Sequence, residues 1–578
     1  MSDRYDASAS APRPDRIKEL RNVGVEARDG VRLSVDLYLP RGDRPLAAIL
    51  ALTPYDNGEL RADARWFVEH GYAYVAADQR GRYDSAGVYD PFDGRHKDDG
   101  YDLVEWIAAQ PWCTGKVGMT GGSALGWTQW WTASAAPPHL AAILPLVAPG
   151  DPFENVPYQH GVLVGGWFPD WAAMMTGGSA HVIGPGGYAG WGANREVQHR
   201  HTPYSDINAA RGIAGGGSYR EWLLRHRSDD PYWEAISYEG EERFGRIGVP
   251  SLGVGGWFDV VLPGTPLNYS GMRRFGSTPE ARRPLMIIGP WTHGINQRVV
   301  GGVDFGPDAV IDLDGLTLRW FDHHLRGADN GIDREPPVRV FVMGENAWRE
   351  LPDWPPPDSV PTPLYLAPEG ALSWTHPETA GADGYVHDPR DPVPSVADSG
   401  GGNLDGPVDT SAVALRDDVL VYRTPVLETA VEVVGPLEAV LFASTSARDT
   451  DWLVRLVDIQ PDGRSLLLAE GALRARNSAP DDDGRFDGTR LTEIEPDAVR
   501  KYTVRFWRDT ANVFLPGHRI GVEISSSWFP FFLPNLGTGA DNLATVTVEE
   551  AVVARQGVYH GGDHASHILL PLTALPIE

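Results

Sequence analysis

Val117-Gly118-Met119-Thr120-Gly121-Gly122-Ser123-Ala124-Leu125-Gly126-Trp127 reads as a strand, a sharp turn and a helix. The apolar run 117–120 suits a buried strand, the two glycines allow a tight reversal, and 124–136 continues as a helix until Pro137-Pro138 stops it. Ser123 sits at the apex. A serine held there projects its hydroxyl beyond the end of the sheet, with a helix N-terminus behind it to favour developing negative charge. The glycine spacing is displaced from the common nucleophile turn: Gly121 lies two residues before the serine, but Leu125 fills the second place after it and Gly126 the third. On its own the stretch fits a catalytic turn and a plain Gly-Ser turn equally, and the surrounding chain has to decide.

Around it, short buried strands alternate with helices. The run 22–39 predicts a β-hairpin turning at Asp29-Gly30, 46–52 and 72–77 predict strands buried on both faces, and 61–70 and 98–110 predict helices, the second with Leu103, Trp106 and Ile107 on one face. A further strand is expected at 140–147. This is an α/β pattern with a mostly parallel sheet. Beyond Pro149 the character changes: 151–242 carries Trp167, Trp171, Trp191, Trp222 and Trp233 among many glycines, with no buried-strand run. Strand patterns resume at 247–254 and 284–289, followed by a helix at 315–326 and a last strand at 338–343. An insertion between two halves of one sheet lies over the carboxyl ends of the strands, which predicts a helical cap. The proline-rich joint 354–363 is expected to be neither helix nor central strand. After it come short, turn-bounded runs at 364–366, 439–444, 452–459, 465–469, 502–506 and 544–548, with a Pro461-Asp462-Gly463 hairpin, which predict a β-sandwich of jelly-roll type. The expected division is a loose tail 1–18, an α/β domain in two parts, 19–149 and 246–353, a helical cap 150–245 and a β domain 354–578.

At 578 residues the chain is too long for one core, and its 42% hydrophobic and 22% charged residues are those of an ordinary globular protein. Cys113 is the single cysteine, which excludes an intrachain disulfide. The polar start 1–18 lacks the pattern of a signal peptide and no run is long and apolar enough to span a membrane, so a cytoplasmic location is expected. A formal charge of −28 repels phosphate backbones and argues against nucleic-acid partners.

A serine hydroxyl needs a positioned base, and the base an orienting acid. Gly255-Gly256-Trp257-Phe258-Asp259 and Gly289-Pro290-Trp291-Thr292-His293-Gly294 each follow a predicted strand, and in a parallel sheet both loops emerge at the same edge as Ser123. The order Ser123, Asp259, His293 is that of α/β-hydrolases. For the oxyanion hole the Ala124 amide is one candidate. Tyr55, after the strand 46–52, is the other, although a half-buried aromatic covering the sheet edge reads the same way.

The set Thr53-Pro54-Tyr55, Asp78-Gln79-Arg80-Gly81, Gly121-Gly122-Ser123 with Gly126, Gly256-Trp257-Phe258-Asp259 and Gly289-Pro290-Trp291-Thr292-His293 resembles the cocaine esterase group within the X-Pro dipeptidyl-peptidase superfamily. The resemblance continues through Trp320-Phe321-Asp322, the stretch 340–348, Asp458-Ile459-Gln460-Pro461-Asp462-Gly463 and Ser526-Ser527-Trp528-Phe529-Pro530, and so covers nearly the whole chain. In that group a glycine three after the serine is normal. The resemblance implies an α/β-hydrolase domain, a helical cap and a C-terminal jelly roll. It also implies Ser123 as nucleophile, His293 as base and then acid, Asp259 as its orienter, and Tyr55 with the Ala124 amide as oxyanion hole. Such proteins usually carry tyrosine directly after the serine; here it is Ala124, which keeps the amide but removes a wall of the acyl pocket.

The expected activity is metal- and cofactor-independent cleavage of a small-molecule carboxylic ester or amide through an acyl-enzyme. X-Pro dipeptidyl-peptidase, α-amino-acid ester hydrolase or β-lactam acylase activity, acyl transfer, and a glycan- or partner-binding protein with a vestigial hydrolase domain are the alternatives. Trp167, Trp171, Phe258 and Phe529 are the candidate substrate-contacting aromatics, while Trp127, Trp130 and Trp131 read most simply as core. His560, His564 and His567 are irregularly spaced and read as a structural turn rather than a metal site, and Asp229-Asp230 as a helix start. The large β-domain surface is compatible with a homodimer.

Overall fold

Apolar runs between residues 17 and 351 assemble into a single ten-stranded sheet. The structure, a computed structural model, describes residues 17–573 apart from 43, 177–199, 214–215, 397–405 and 482. The expected tail falls outside the described residues except for its last two, which already belong to the first strand, and Trp191 falls outside them too. The strands are β1 (Ile17–Glu26), β2 (Arg32–Pro40), β3 (Leu46–Thr53), β4 (Ala73–Asp78), β5 (Cys113–Gly122), β6 (Leu140–Leu146), β7 (Leu252–Gly256), β8 (Leu285–Gly289), β9 (Val338–Val342) and β10 (Ala347–Leu351). Their order is β1-β2-β4-β3-β5-β6-β7-β8-β9-β10. From β4 to β9 every neighbour is parallel, and β1, β2 and β10 add antiparallel pairs at the two ends. β10 was not expected: strand β9 is followed by a tight return to Ala347 rather than by the end of the sheet.

Among the described residues the helices of six residues or more are α1 (Arg61–Glu69), α2 (His96–Ala108), α3 (Ala124–Ser134), α4 (Phe168–Thr176), α5 (Gly216–Leu224), α6 (Pro231–Ile236), α7 (Gly264–Phe275) and α8 (Leu313–Arg326). The two-residue period of β3 decides what each face meets. Ala48, Leu50 and Leu52 share a core with Leu103, Ile107 and Trp127 of α2 and α3, whereas Ala47, Ile49 and Ala51 share another with Phe67 of α1 and Phe321 of α8. α3 is apolar nearly all round because it is covered on its outer side as well: Trp127 meets Trp171 of α4 at 6.1 Å between ring centroids, and Trp130 stacks on Tyr238 at 5.9 Å. The segment between β6 and β7 carries short helices, and its Trp222 and Trp233 pack on Phe92, from the loop between β4 and α2, at 5.2 and 5.3 Å.

From Val360 onward the described chain is β-rich, with thirteen strands in one hydrogen-bonded assembly. The Pro461-Asp462-Gly463 turn joins Asp451–Ile459 to Ser465–Arg474 as expected. One expectation needs correction and one is refined. Pro361 and Pro363 lie in a strand, Val360–Ala367, yet not at central positions. Over 360–364 it pairs on one side only, with His567–Leu572, so the missing N–H groups cost no ladder bonds. The run 544–548 is not a strand: Asn542 accepts the Ala544 N–H at 2.9 Å and Thr547 forms a reciprocal cap with Glu550, which coils the chain into two 3-10 turns. No helix among the described residues is long and apolar enough to cross a membrane.

Candidate active site

β5 ends at Gly122 and α3 begins at Ala124, which leaves Ser123 between them at φ 59° and ψ −124°, a conformation that side chains with a Cβ rarely adopt. Neighbouring backbone holds it there. The Ser123 N–H donates to the Leu146 carbonyl at 3.0 Å, and its own carbonyl accepts from the Gly126 N–H at 2.7 Å. The displaced glycine has a steric cause. A Cβ at Gly121 would come within 2.6 Å of Leu125 Cβ, so the leucine occupies the space that Gly121 leaves, and the close helix approach falls instead at Gly126, where a Cβ would lie 2.5 Å from that of Ala148.

Gln129, buried on α3, braces the same turn and was not singled out from the sequence. Its Nε2 donates to the carbonyls of Gly121 at 3.0 Å and Leu125 at 3.1 Å, and its Oε1 accepts the Leu144 N–H of β6 at 3.0 Å. Gln129→Leu, similar in size, takes a partner away from the Gly121 carbonyl and the Leu144 N–H in the core, while the Leu125 carbonyl keeps the Thr128 hydroxyl. We expect it to lower the unfolding free energy measured in urea by about 1–3 kcal/mol.

The acid and the histidine follow β7 and β8, which are in register from Leu252 opposite Leu285 to Gly256 opposite Gly289. The two loops then bond to each other: Trp257 N–H reaches the Gly289 carbonyl and Phe258 N–H the Trp291 carbonyl, both at 2.9 Å. A side chain at Gly256 would overlap the Trp291 carbonyl, and one at Gly289 the Trp291 indole, so both glycines are required by the stitch. It brings His293 Nδ1 to 2.7 Å from Asp259 Oδ1. Asp259 is fully buried, and its Oδ1 also accepts the Val261 N–H at 3.1 Å. His293 keeps 27% of its side chain exposed. Burial works against the imidazolium, but the charge of Asp259 and the hydrogen bond to it outweigh burial and raise the histidine pKa above its ordinary value. With Nδ1 donating to the carboxylate, Nε2 is the basic nitrogen.

Tyr55 follows β3 and is half-buried; its phenol oxygen accepts from Trp171 Nε1 of α4 at 3.1 Å. Ala124 opens α3, and its amide is among the first-turn N–H groups that have no acceptor within a helix. Ser123, Tyr55, Asp259 and His293 therefore all follow parallel strands at their carboxyl ends, on one edge of the sheet. Trp167, just ahead of α4, is buried with its ring 6.4 Å from that of Trp171. Phe258 packs on Phe305 at 6.2 Å with the Arg508 guanidinium 5.9 Å away, and Phe529 lies buried beneath the Arg200 guanidinium at 4.8 Å. Asp230 caps α6 through the Tyr232 N–H at 2.9 Å. The three C-terminal histidines face different partners: His560 faces Asp383, His564 the rings of Phe442 and Tyr559, and His567 the Ala565 carbonyl. Among the described residues no group of three or more His, Cys, Asp or Glu side chains is placed to hold a metal ion.

Comparison with known proteins fits this geometry. The family model described as X-Pro dipeptidyl-peptidase (S15 family) matches residues 29–295, and that of the X-Pro dipeptidyl-peptidase C-terminal non-catalytic domain matches 330–569. The chain is 35% identical to a cocaine esterase from Rhodococcus sp. (strain MB1 Bresler), over 95% of this chain and 98% of the relative. Among solved structures, an aminopeptidase from a marine sediment Thaumarchaeota archaeon is similar with a TM-score of 0.83 at 25% identity, over 99% of each chain. An α-amino acid ester hydrolase shares the fold with a TM-score of 0.81 at 24% identity, over 99% of this chain and 100% of the other. The two matched models, the near full-length identity and the α/β region followed by a β-rich one together make this chain a hydrolase belonging to the X-Pro dipeptidyl-peptidase (S15) family.

Proposed function

We propose that the chain cleaves carboxylic esters of small molecules through an acyl-enzyme, with Ser123 as nucleophile, His293 as base and then acid, and Asp259 as its orienter. The observation that carries this reading is the 2.7 Å bond from His293 Nδ1 to Asp259 Oδ1, made by loops on the sheet edge where Ser123 stands. His293 Nε2 takes the hydroxyl proton as Ser123 Oγ attacks the carbonyl carbon. The tetrahedral oxyanion is held by the Ala124 amide and the Tyr55 phenol. Collapse expels the alcohol, which receives the proton from His293, and water then attacks the acyl-enzyme by the same route in reverse. The segment 150–245 acts as a helical cap over the site and 354–578 as a jelly roll, with Trp167 and Phe529 as aromatic surface for the acyl or alcohol group. Intact-protein mass spectrometry after a fluorophosphonate probe tests the reading: one adduct on the parent and none on Ser123→Ala is expected, and an unlabelled, folded parent would remove it.

Family members named for peptides or amino-acid esters would need a group to receive a free amine. The buried acid of α4, Asp170, is matched by Arg211 at 2.8 Å, so its charge is already balanced. An N-free aminoacyl p-nitrophenyl ester and its N-acetyl twin are therefore expected to differ by no more than ~3-fold in kcat/KM. A preference of ~100-fold for the free amine would move the assignment to the amino-ester and peptidase branch.

A further inference from the structure

The Asp78-Gln79-Arg80-Gly81-Arg82 loop ends in a side chain that the chemistry above does not use. Arg82 is buried, and among the described residues its Nη2 finds no hydrogen-bond partner. Its Nε donates to the Pro54 carbonyl at 2.8 Å, one residue before Tyr55, and its Nη1 to the Met175 carbonyl at 2.9 Å. Met175 belongs to α4, so this bond links that helix to the turn that carries Tyr55. The guanidinium is held between the rings of Tyr83 and Tyr89, at 5.1 and 5.0 Å, and Tyr89 OH reaches Met175 Sδ at 3.4 Å. The Tyr55 turn is fixed from its other side by the Asn57 N–H, which donates to Asp78 Oδ1 at 2.8 Å. One helix is thus tied to the tyrosine-bearing turn at two points: through Arg82 at its end, and through Trp171 Nε1 on the Tyr55 oxygen near its middle.

We propose that Trp171 and Arg82 are positioning residues that aim the Tyr55 phenol at the oxyanion. An indole N–H only donates, so Tyr55 is the acceptor in that contact and its hydroxyl hydrogen is not consumed by it. Donation into the phenol oxygen also makes its O–H a stronger donor, through the mutual polarisation of linked hydrogen bonds. Arg82 keeps α4 and the turn at the separation this requires, a role lysine cannot fill because an ammonium does not span two carbonyls as a planar fork does.

The proposal rests on Tyr55 being an oxyanion donor, and its test separates the two. Steady-state kcat and KM for p-nitrophenyl butyrate are measured on the parent, Tyr55→Phe, Trp171→Phe, Arg82→Lys and the double variant Tyr55→Phe/Trp171→Phe. Each is normalised to active sites titrated with fluorophosphonate, so that misfolded protein is not counted. Tyr55→Phe is expected to lower kcat by ~100-fold. Trp171→Phe and Arg82→Lys should each lower it by ~5–10-fold with KM within ~2-fold of the parent, and adding Trp171→Phe to Tyr55→Phe should cost less than ~2-fold more. An equal loss from Trp171→Phe in both backgrounds would show that the indole acts through the fold, and overturn the proposal. So would an unchanged kcat in Trp171→Phe beside an intact Tyr55→Phe loss. If Tyr55→Phe itself is silent, the oxyanion reading falls first and the positioning role with it.

Discussion

Ser123→Ala is expected to lower kcat for a short p-nitrophenyl ester by ~10⁵–10⁶-fold, to a rate still ~10³-fold above water, from the remaining oxyanion donors and binding alone. The substitution isolates the hydroxyl. Position 123 sits at φ 59° in either case, alanine and serine both carry a Cβ there, and the hydrogen bonds that hold the turn are made by its backbone. No steric relief or cavity therefore accompanies the change. A spectrophotometric assay on active-site-free protein at high concentration measures the residual rate. A loss smaller than ~100-fold would mean that another group attacks the ester, and the assignment of the nucleophile would have to move.

Asp259→Asn should cost ~10⁴-fold in kcat, and it should also move the pH profile in a direction that the buried geometry fixes. In the parent, His293 must be neutral to act as base. Its pKa is raised by the Asp259 charge and hydrogen bond against burial, so kcat/KM should climb with pH through a midpoint above the ordinary histidine value of ~6.5. Asparagine removes the charge but leaves the burial, and burial alone disfavours the imidazolium, so the residual activity of the variant should climb through a midpoint below ~6.5. The asparagine carbonyl can still accept the Val261 N–H that Asp259 Oδ1 accepts at 3.1 Å, so the loop has a reason to stay in place. Profiles of parent and variant with the same midpoint would show that the carboxylate does not set the histidine, whatever the size of the rate loss.

The parallel strands were legible because β3 to β8 are largely buried on both faces, and such strands advertise themselves as apolar runs. The Asp259 and His293 positions followed from that, since each lies a few residues past a strand. What the residues alone did not give was why Gly126 stands one place late; that depends on Leu125 filling the space at Gly121, a fact of volume rather than of pattern. Gln129 and Arg82 were illegible for another reason. A buried polar side chain is defined by its partners, and Arg82 meets Met175, 93 positions along the chain, while Trp171 meets Tyr55 across 116. The proline joint was legible only as an exclusion: proline is unfit for positions bonded on both sides, and because one side is open here it still allows the one-sided strand that the pattern did not name.

The stitch between the Trp257 and Trp291 loops also bears on how this site can change over generations. Two segments separated by the whole of α7 fit one another through backbone bonds and through glycines that tolerate no side chain. Neither can be exchanged for a foreign counterpart without breaking the other. A crossover between them would have to recreate the whole fit, so the two loops are expected to be inherited as one unit.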